Sequence, residues 1–155
     1  MSIHPEQQYL DLGRELIEHG IYNKDLGSGD VTYSFFGRQF RFDFADGFPL
    51  LTTKKVYWKG VVTELLWFLR GDSNIRFLVQ NNVHIWDDYP YYIYNNKVKK
   101  GEMPPMTKEE FIAKILEDET FAKAHGELPK IYGELWRRWP TKTPGRTVDQ
   151  IAWIL

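Results

Sequence analysis

Gly60-Val-Val-Thr-Glu-Leu-Leu-Trp-Phe-Leu-Arg-Gly-Asp-Ser-Asn74 is the stretch from which the rest of the chain is read. At about 100° per residue, Val61, Val62, Leu65, Leu66, Phe68 and Leu69 share one broad face, while Thr63 and Arg70 fall on the other. That spacing predicts an amphipathic helix. Glu64 belongs to neither face, lying between Trp67 on one side and Phe68 and Val61 on the other. Apolar flanks disfavour the ionised carboxylate and lift its pKa, which suits a proton-transfer group. The alternative is a rim glutamate paired with Lys59 or Arg70. Gly71 is expected to end the helix as a left-handed cap, with Asp72 or Ser73 capping a second helix that begins near Asn74.

Downstream, Asn74 to Gln80 reads as a short helix closed by Asn81-Asn82. Val83 to Tyr89 sets two large rings beside two carboxylates, either as one wall for a flat ligand or with one ring packed inward. Tyr89 to Gly101 reads as irregular and basic, and Pro104-Pro105 enforces an extended approach to the next element. Thr107 and Glu110 match a capping box, followed by an apolar stripe of Phe111, Ile112, Ile115 and Leu116. A break at Asp118 to Thr120 and a short helix to Gly126 complete an expected inserted subdomain. Thr147 to Leu155 reads as the start of an amphipathic helix, with Ile151, Trp153, Ile154 and Leu155 needing cover from a continuation or a partner.

Upstream, Tyr9, Leu12, Leu16 and Ile17 mark a helix that starts near Pro5 and stops at Gly20. Ile21 to Asp30 reads as a polar loop. Its Gly27-Ser28-Gly29 is a turn, or at most a weak anion site, because no helix follows it. Thr32 to Ala45 reads as a strand, since Phe40, Phe42 and Phe44 alternate with Arg41 and Asp43, and Gly37 marks a bulge or bend. Lys54-Lys55 either meet an acidic ligand or are simply solvated.

A chain of 155 residues, 43% hydrophobic and 26% charged, can bury a substantial core. The aromatic share of 16% allows ring stacking without demonstrating it. A net charge of −1 does not favour nucleic acid as a partner, and Lys97 to Lys100 with Arg137-Arg138 read as solvated surface. No apolar run reaches membrane-spanning length and no signal-peptide core opens the chain, so a cytoplasmic protein is expected. There are no cysteines, which excludes disulfides, thiolate metal sites and a cysteine nucleophile within these residues. His4, His19, His84 and His125 lack ligand spacing, so no metal is expected.

Four motifs carry a family resemblance: Phe48-Pro-Leu-Leu-Thr-Thr-Lys-Lys55, Glu64-Leu-Leu-Trp-Phe-Leu-Arg-Gly-Asp72, Ile85-Trp86-Asp87, and Tyr132-Gly133 with Trp136-Arg137 and Trp139. In order and spacing they resemble thymidylate synthase, from about Tyr9 to the last residue. The resemblance implies an α+β fold, a mixed sheet packed by helices, forming one domain over 1–155 with a small helical insertion at 89–128. It also implies a homodimer that converts dUMP to dTMP with 5,10-methylenetetrahydrofolate as carbon and hydride donor. In the family a cysteine thiolate adds to the uracil ring and makes the neighbouring carbon nucleophilic. By the same resemblance Glu64 organises water and proton transfer at the pyrimidine. Lys54, Tyr57, Ile85, Trp86 and Tyr89 match folate-side positions, and Tyr132 matches a residue of the nucleotide pocket.

The departures carry equal weight. The family's cysteine and the residues that read the base belong to a second half expected to be missing here. The family's Asp-Arg-Thr-Gly-Thr-Gly-Thr loop reads Leu26 to Thr32, which puts Gly27 where a phosphate-binding arginine is expected, with Asp30 beside it. Loss of a guanidinium removes a bidentate contact that backbone amides do not replace. Tyr89 stands for a tryptophan and Leu135 for a glutamine. Three functions follow as expectations: half of a synthase, inactive alone; a non-catalytic remnant or regulator that pairs with an intact synthase; and, least favoured, a nucleotide- or RNA-binding module.

Overall fold

The computed structural model describes residue 4 and residues 6–24 and 29–155, which divide into two compact units, Met1–Val56 and Tyr57–Leu155. Helix and strand are both present, as an α+β fold requires. In the described residues the strands form two small antiparallel sheets of two strands each.

In the first unit, α1 (Gln7–His19) is followed by β1 (Ile21–Lys24) and β2 (Val31–Ser34). These strands pair Ile21 with Ser34 and Lys24 with Val31, and the rings of Tyr22 and Tyr33 meet edge-on at 5.8 Å. The expected polar loop from Ile21 therefore begins with a strand, because cross-strand pairing supplies what local pattern does not show. The expected strand from Thr32 to Ala45 is correspondingly cut short at Ser34. Beyond it, Arg41 bonds to a side chain: its N–H donates to Gln8 Oε1 at 3.0 Å and its carbonyl accepts from Gln8 Nε2 at 2.7 Å. A single amide thus takes the place of a neighbouring strand, and Phe44–Asp46 closes into a 3-10 turn instead of extending.

In the second unit, α2 (Trp58–Leu69) carries the opening stretch, and Gly71 takes the left-handed conformation with φ 66°. The buried face differs from the expected one. Gly60, Trp67 and Phe68 are buried, whereas Val61, Leu65 and Leu66 are 49%, 47% and 50% exposed. A helix apolar on most of its circumference does not define its own inner face; the neighbouring elements choose it. Here α7 (Tyr132–Arg137) lies against α2 on the Phe68 side, setting Tyr132 and Trp136 edge-on to the Phe68 ring at 5.4 and 5.6 Å.

Asp72 accepts from the Asn74 amide, and α3 (Arg76–Gln80) follows, closed by Asn81. The expected irregular stretch from Tyr89 is instead helix α4 (Asp88–Lys99). Pro90 does not prevent it, since the first turn contains amides with no intrahelical acceptor in any case. The apolar stripe is carried by tyrosines: Tyr94 is buried and Tyr91 half-buried, with hydroxyls donating to the carbonyls of Pro104 at 2.8 Å and Met106 at 3.1 Å. Lys97 and Lys99 fall in the last turn, where cations complement the helix dipole. The capping box of Thr107 and Glu110 opens α5 (Lys108–Glu117), and Asp118 caps α6 (Glu119–His125). Phe111 and Ile115 are fully buried with Trp67, Ile75, Leu78 and Val83, each side chain contributing roughly 1.5–3 kcal/mol by leaving water.

At the end of this unit, β3 (Trp139–Pro140) pairs with β4 (Thr147–Val148), and Asp149 then caps α8 (Gln150–Ile154). The helix expected from Thr147 thus starts later, because Thr147 and Val148 are in a hairpin. Arg137 pairs with Asp149 at 2.9 Å, and Arg138 donates to the Gly71 carbonyl at 2.6 Å. Arg137, expected as solvated surface, is half-buried in an ion pair, whereas Arg138 is exposed as expected while also tying down the Gly71 carbonyl. Among the described residues, no helix is long and apolar enough to cross a membrane, and no group of three or more His, Asp or Glu is placed to hold a metal ion.

Candidate functional site

Glu64 faces the turn that links α3 to α4. Its Oε1 accepts a hydrogen bond from the Trp86 indole at 2.6 Å, a charge-assisted contact joining the middle of α2 to a residue 22 positions later. The partner is therefore an indole donor, not Lys59 or Arg70; the Arg70 guanidinium instead lies over the Phe77 ring at 4.5 Å. Glu64 and Trp86 are both half-buried, and Trp86 also packs on Trp67 with ring centroids 6.1 Å apart. Trp67 is locked in turn, its indole donating to the Asn74 carbonyl at 3.0 Å.

The turn that carries Ile85 and Trp86 is held by polar contacts on both sides. Asn82 takes the left-handed conformation with φ 54°, which asparagine tolerates better than most residues. Its carbonyl accepts from the Tyr57 hydroxyl at 3.2 Å. The Tyr57 ring lies over Gly60, where an added Cβ would meet ring carbons at 2.4 and 2.5 Å. His84 then spans Ile85 and Trp86, its Nδ1 2.7 Å from Asp87 Oδ2 and its Nε2 3.0 Å from Asn82 Oδ1. Asp87 is 2% exposed, and burial raises its pKa against the opposing pull of His84. Neither Asn82 nor Asp87 was singled out from the sequence for a site role. The spacing His84-x-x-Asp87 around Ile85-Trp86 was the available signal.

Glu64 and Trp86 are thus in direct contact, and Tyr57 is tied to the same turn. Ile85 and Tyr89 stand exposed beside Trp86 and in the first turn of α4. Tyr132 lies edge-on to Phe68, one turn of α2 beyond Glu64, and is 57% exposed. This group offers an acidic oxygen beside open aromatic and aliphatic surface. Such surface suits a flat heterocycle, with Glu64 able to exchange protons with it or with intervening water.

Lys54 is exposed and belongs to the first unit. Gly27 lies outside the described residues. In that unit a second carboxylate is bound closely. Glu6 accepts from the Thr52 hydroxyl at 2.6 Å, the Thr52 amide at 2.5 Å and the Thr53 amide at 3.0 Å. The Thr52 hydroxyl, followed by the two amides, lowers the Glu6 pKa to about 2.

A family profile described as thymidylate synthase matches residues 7–155. The thymidylate synthase of Cereibacter sphaeroides is 49% identical over 153 residues, covering 98% of this chain and 49% of the relative. That of Oenococcus oeni is 41% identical over 168 residues, covering 97% and 52%, and that of Sinorhizobium fredii is 44% identical over 156 residues, covering 100% and 49%. The chain spans about half the length of the curated relatives it matches.

Proposed function

The chain belongs to the thymidylate synthase family, and on that premise we propose that it carries the folate-side portion of a site for reductive methylation of dUMP to dTMP. The contact of Trp86 with Glu64 is the observation that carries this reading. It couples a ring suited to stacking on a planar cosubstrate to a carboxylate suited to proton transfer.

The open faces of Ile85, Tyr89 and Tyr57 around that contact fit one side of a flat, apolar-edged ligand. Ile85, Trp86, Tyr89 and Tyr57 would hold 5,10-methylenetetrahydrofolate, and the family resemblance assigns Lys54 of the first unit to folate binding as well. When bound, the folate supplies the one-carbon unit and the hydride. Glu64 holds or passes a proton through water at the pyrimidine, and Tyr132 lines the nucleotide pocket. Gly27 cannot offer a phosphate the bidentate contact of an arginine, so nucleotide affinity is reduced. Residues 89–128 serve as the small inserted subdomain of a single synthase domain, the protein is cytoplasmic, and the active assembly is a homodimer or a pairing with a C-terminal half.

The 155 residues contain no cysteine and are inactive by themselves. The second reading, a non-catalytic protein that pairs with an intact synthase, draws on that same lack of a thiol nucleophile. Purified protein is to be given radiolabelled dUMP and methylenetetrahydrofolate, with folate binding followed by quenching of Trp86 fluorescence. Folate-dependent quenching that Trp86→Phe abolishes, with no dTMP formed, is expected. Turnover by synthase-free material overturns the predicted inactivity, and absence of quenching overturns the folate assignment. Co-purification with an added intact synthase, without folate quenching, favours the second reading.

A further inference from the structure

We propose that His84 is a positioning residue whose protonation state sets the placement of the Trp86 indole and, through it, of the Glu64 carboxylate. The geometry starts from the two ring nitrogens. Nδ1 is 2.7 Å from Asp87 Oδ2 and Nε2 is 3.0 Å from Asn82 Oδ1, so both face oxygen acceptors. An imidazole protonated on both nitrogens donates to both oxygens; a neutral ring has one N–H to give. Losing one proton therefore leaves a bare nitrogen opposite an oxygen. Either the Asn82 amide turns to present its NH2 group, or that contact opens.

Neither response stays local. Asn82 is held at positive φ, and its carbonyl is the acceptor for Tyr57. On the other side, Asp87 is almost fully buried, and its second oxygen, Oδ1, has no hydrogen-bond partner among the described residues. Asp87 thus depends on the ring for its hydrogen bond, and loosening that contact leaves a buried carboxylate poorly satisfied. Ile85 and Trp86 lie in the segment between these anchors, so a change at either anchor moves the backbone that aims the indole at Glu64. His84 itself is partly exposed, which gives solvent protons access to it.

Other charges share the surroundings. Asp87 and Asp88 come from the turn and the start of α4. Lys108 and Glu109, from α5, line the same cavity as His84 and Asp87, and Lys108 is bound to Asp88 at 2.5 Å. Lys108 and Asp88 largely offset each other, leaving Asp87 as the carboxylate in direct contact with the ring.

The consequence for proton handling rests on the proposed role of Glu64; the structural coupling does not. The test is a pH titration, across the imidazole range of about pH 5 to 8, of protein carrying nitrogen-15 in histidine and tryptophan. The Trp86 indole resonance is assigned by its loss in Trp86→Phe. It is expected to shift with the midpoint of the His84 ring, while the Trp67 indole, held by Asn74, stays still. In His84→Gln the Trp86 shift is expected to disappear. A stationary Trp86 indole while His84 titrates overturns the inference, as does a shift that persists in His84→Gln. Comparing Trp86 with Trp67 in the unaltered protein decides the matter even if the variant fails to fold. A stationary indole with folate quenching intact sinks this inference alone, whereas a coupled indole with no quenching sinks only the folate assignment.

Discussion

The backbone of Gly133 lies directly on that of Phe68: a Cβ added at Gly133 would be 2.9 Å from both the Cα and the carbonyl oxygen of Phe68, and 2.9 Å from the Asp72 carbonyl. These are backbone atoms of α2 and its exit, so no side-chain rotation relieves the overlap. Gly133→Ala is expected to push α7 away from α2 and cost about 1–3 kcal/mol. Urea denaturation would read the loss, and a change in the Tyr132 and Trp136 signals would place it at the Phe68 ring.

Gly71 meets two demands together. Its φ is 66°, and a Cβ there would stand 2.9 Å from Cβ and Cγ of Arg137. Gly71→Ala is expected to cost at least the roughly 1–2 kcal/mol of a left-handed non-glycine residue. An unchanged denaturation midpoint would show that the end of α2 is not held as described.

The Trp86–Glu64 hydrogen bond can be measured by a double-mutant cycle. Trp86→Phe removes the donor and Glu64→Ala removes the acceptor. Trp86→Phe is expected to destabilise by about 1–2 kcal/mol, and the two changes together by less than their sum, since they interrupt one contact. Additive effects would mean that the bond contributes nothing to stability.

The Glu6 clamp predicts a pH dependence. Its folded pKa is about 2, below the 4.5 of an unperturbed glutamate, so its contribution is present above the unfolded value and is lost as pH falls through about 2. Slowed amide exchange at Thr52 and Thr53 is expected to persist through pH 4 in the native protein and to vanish in Glu6→Ala. Equal exchange in both proteins would rule the clamp out.

Thr107 and Glu110 give a local test of helix start. Thr107→Ala is expected to cost about 1 kcal/mol, because the Glu110 amide loses its acceptor at the first turn of α5. Thr107→Ser is expected to restore most of that, and failure to do so would point to lost packing, not lost capping.

Several features of this protein were readable because their causes are local. The stop at Gly71 follows from a backbone conformation that glycine adopts freely. The capping box and the Asp118 break involve groups three residues apart, and the helical period of Gly60 to Leu69 is written in its own side chains. The four motifs together were also enough to identify the family, although they did not say which polar atoms meet.

What the tertiary structure decided is non-local in each case. Val61, Leu65 and Leu66 have the composition of a core face, but α7 packs on the Phe68 side, while Tyr57 covers Gly60 and Trp86 packs on Trp67. Ile21 to Lys24 becomes a strand because Val31 to Ser34 pairs with it, while among the alternating phenylalanines that follow the Arg41 backbone bonds to Gln8 and the sheet is not extended. Asp88 to Lys99 becomes helical because two tyrosines reach across to hold Pro104 and Met106. Glu64 finds the Trp86 indole rather than a neighbouring cation because the turn from α3 to α4 presents a donor at 2.6 Å. The sequence alone determined the stop at Gly71 and the starts of α5 and α6, since those depend on groups within a few residues. Which faces are buried, and which acid meets which donor, depended on segments far apart in the chain, and folding alone brought them together.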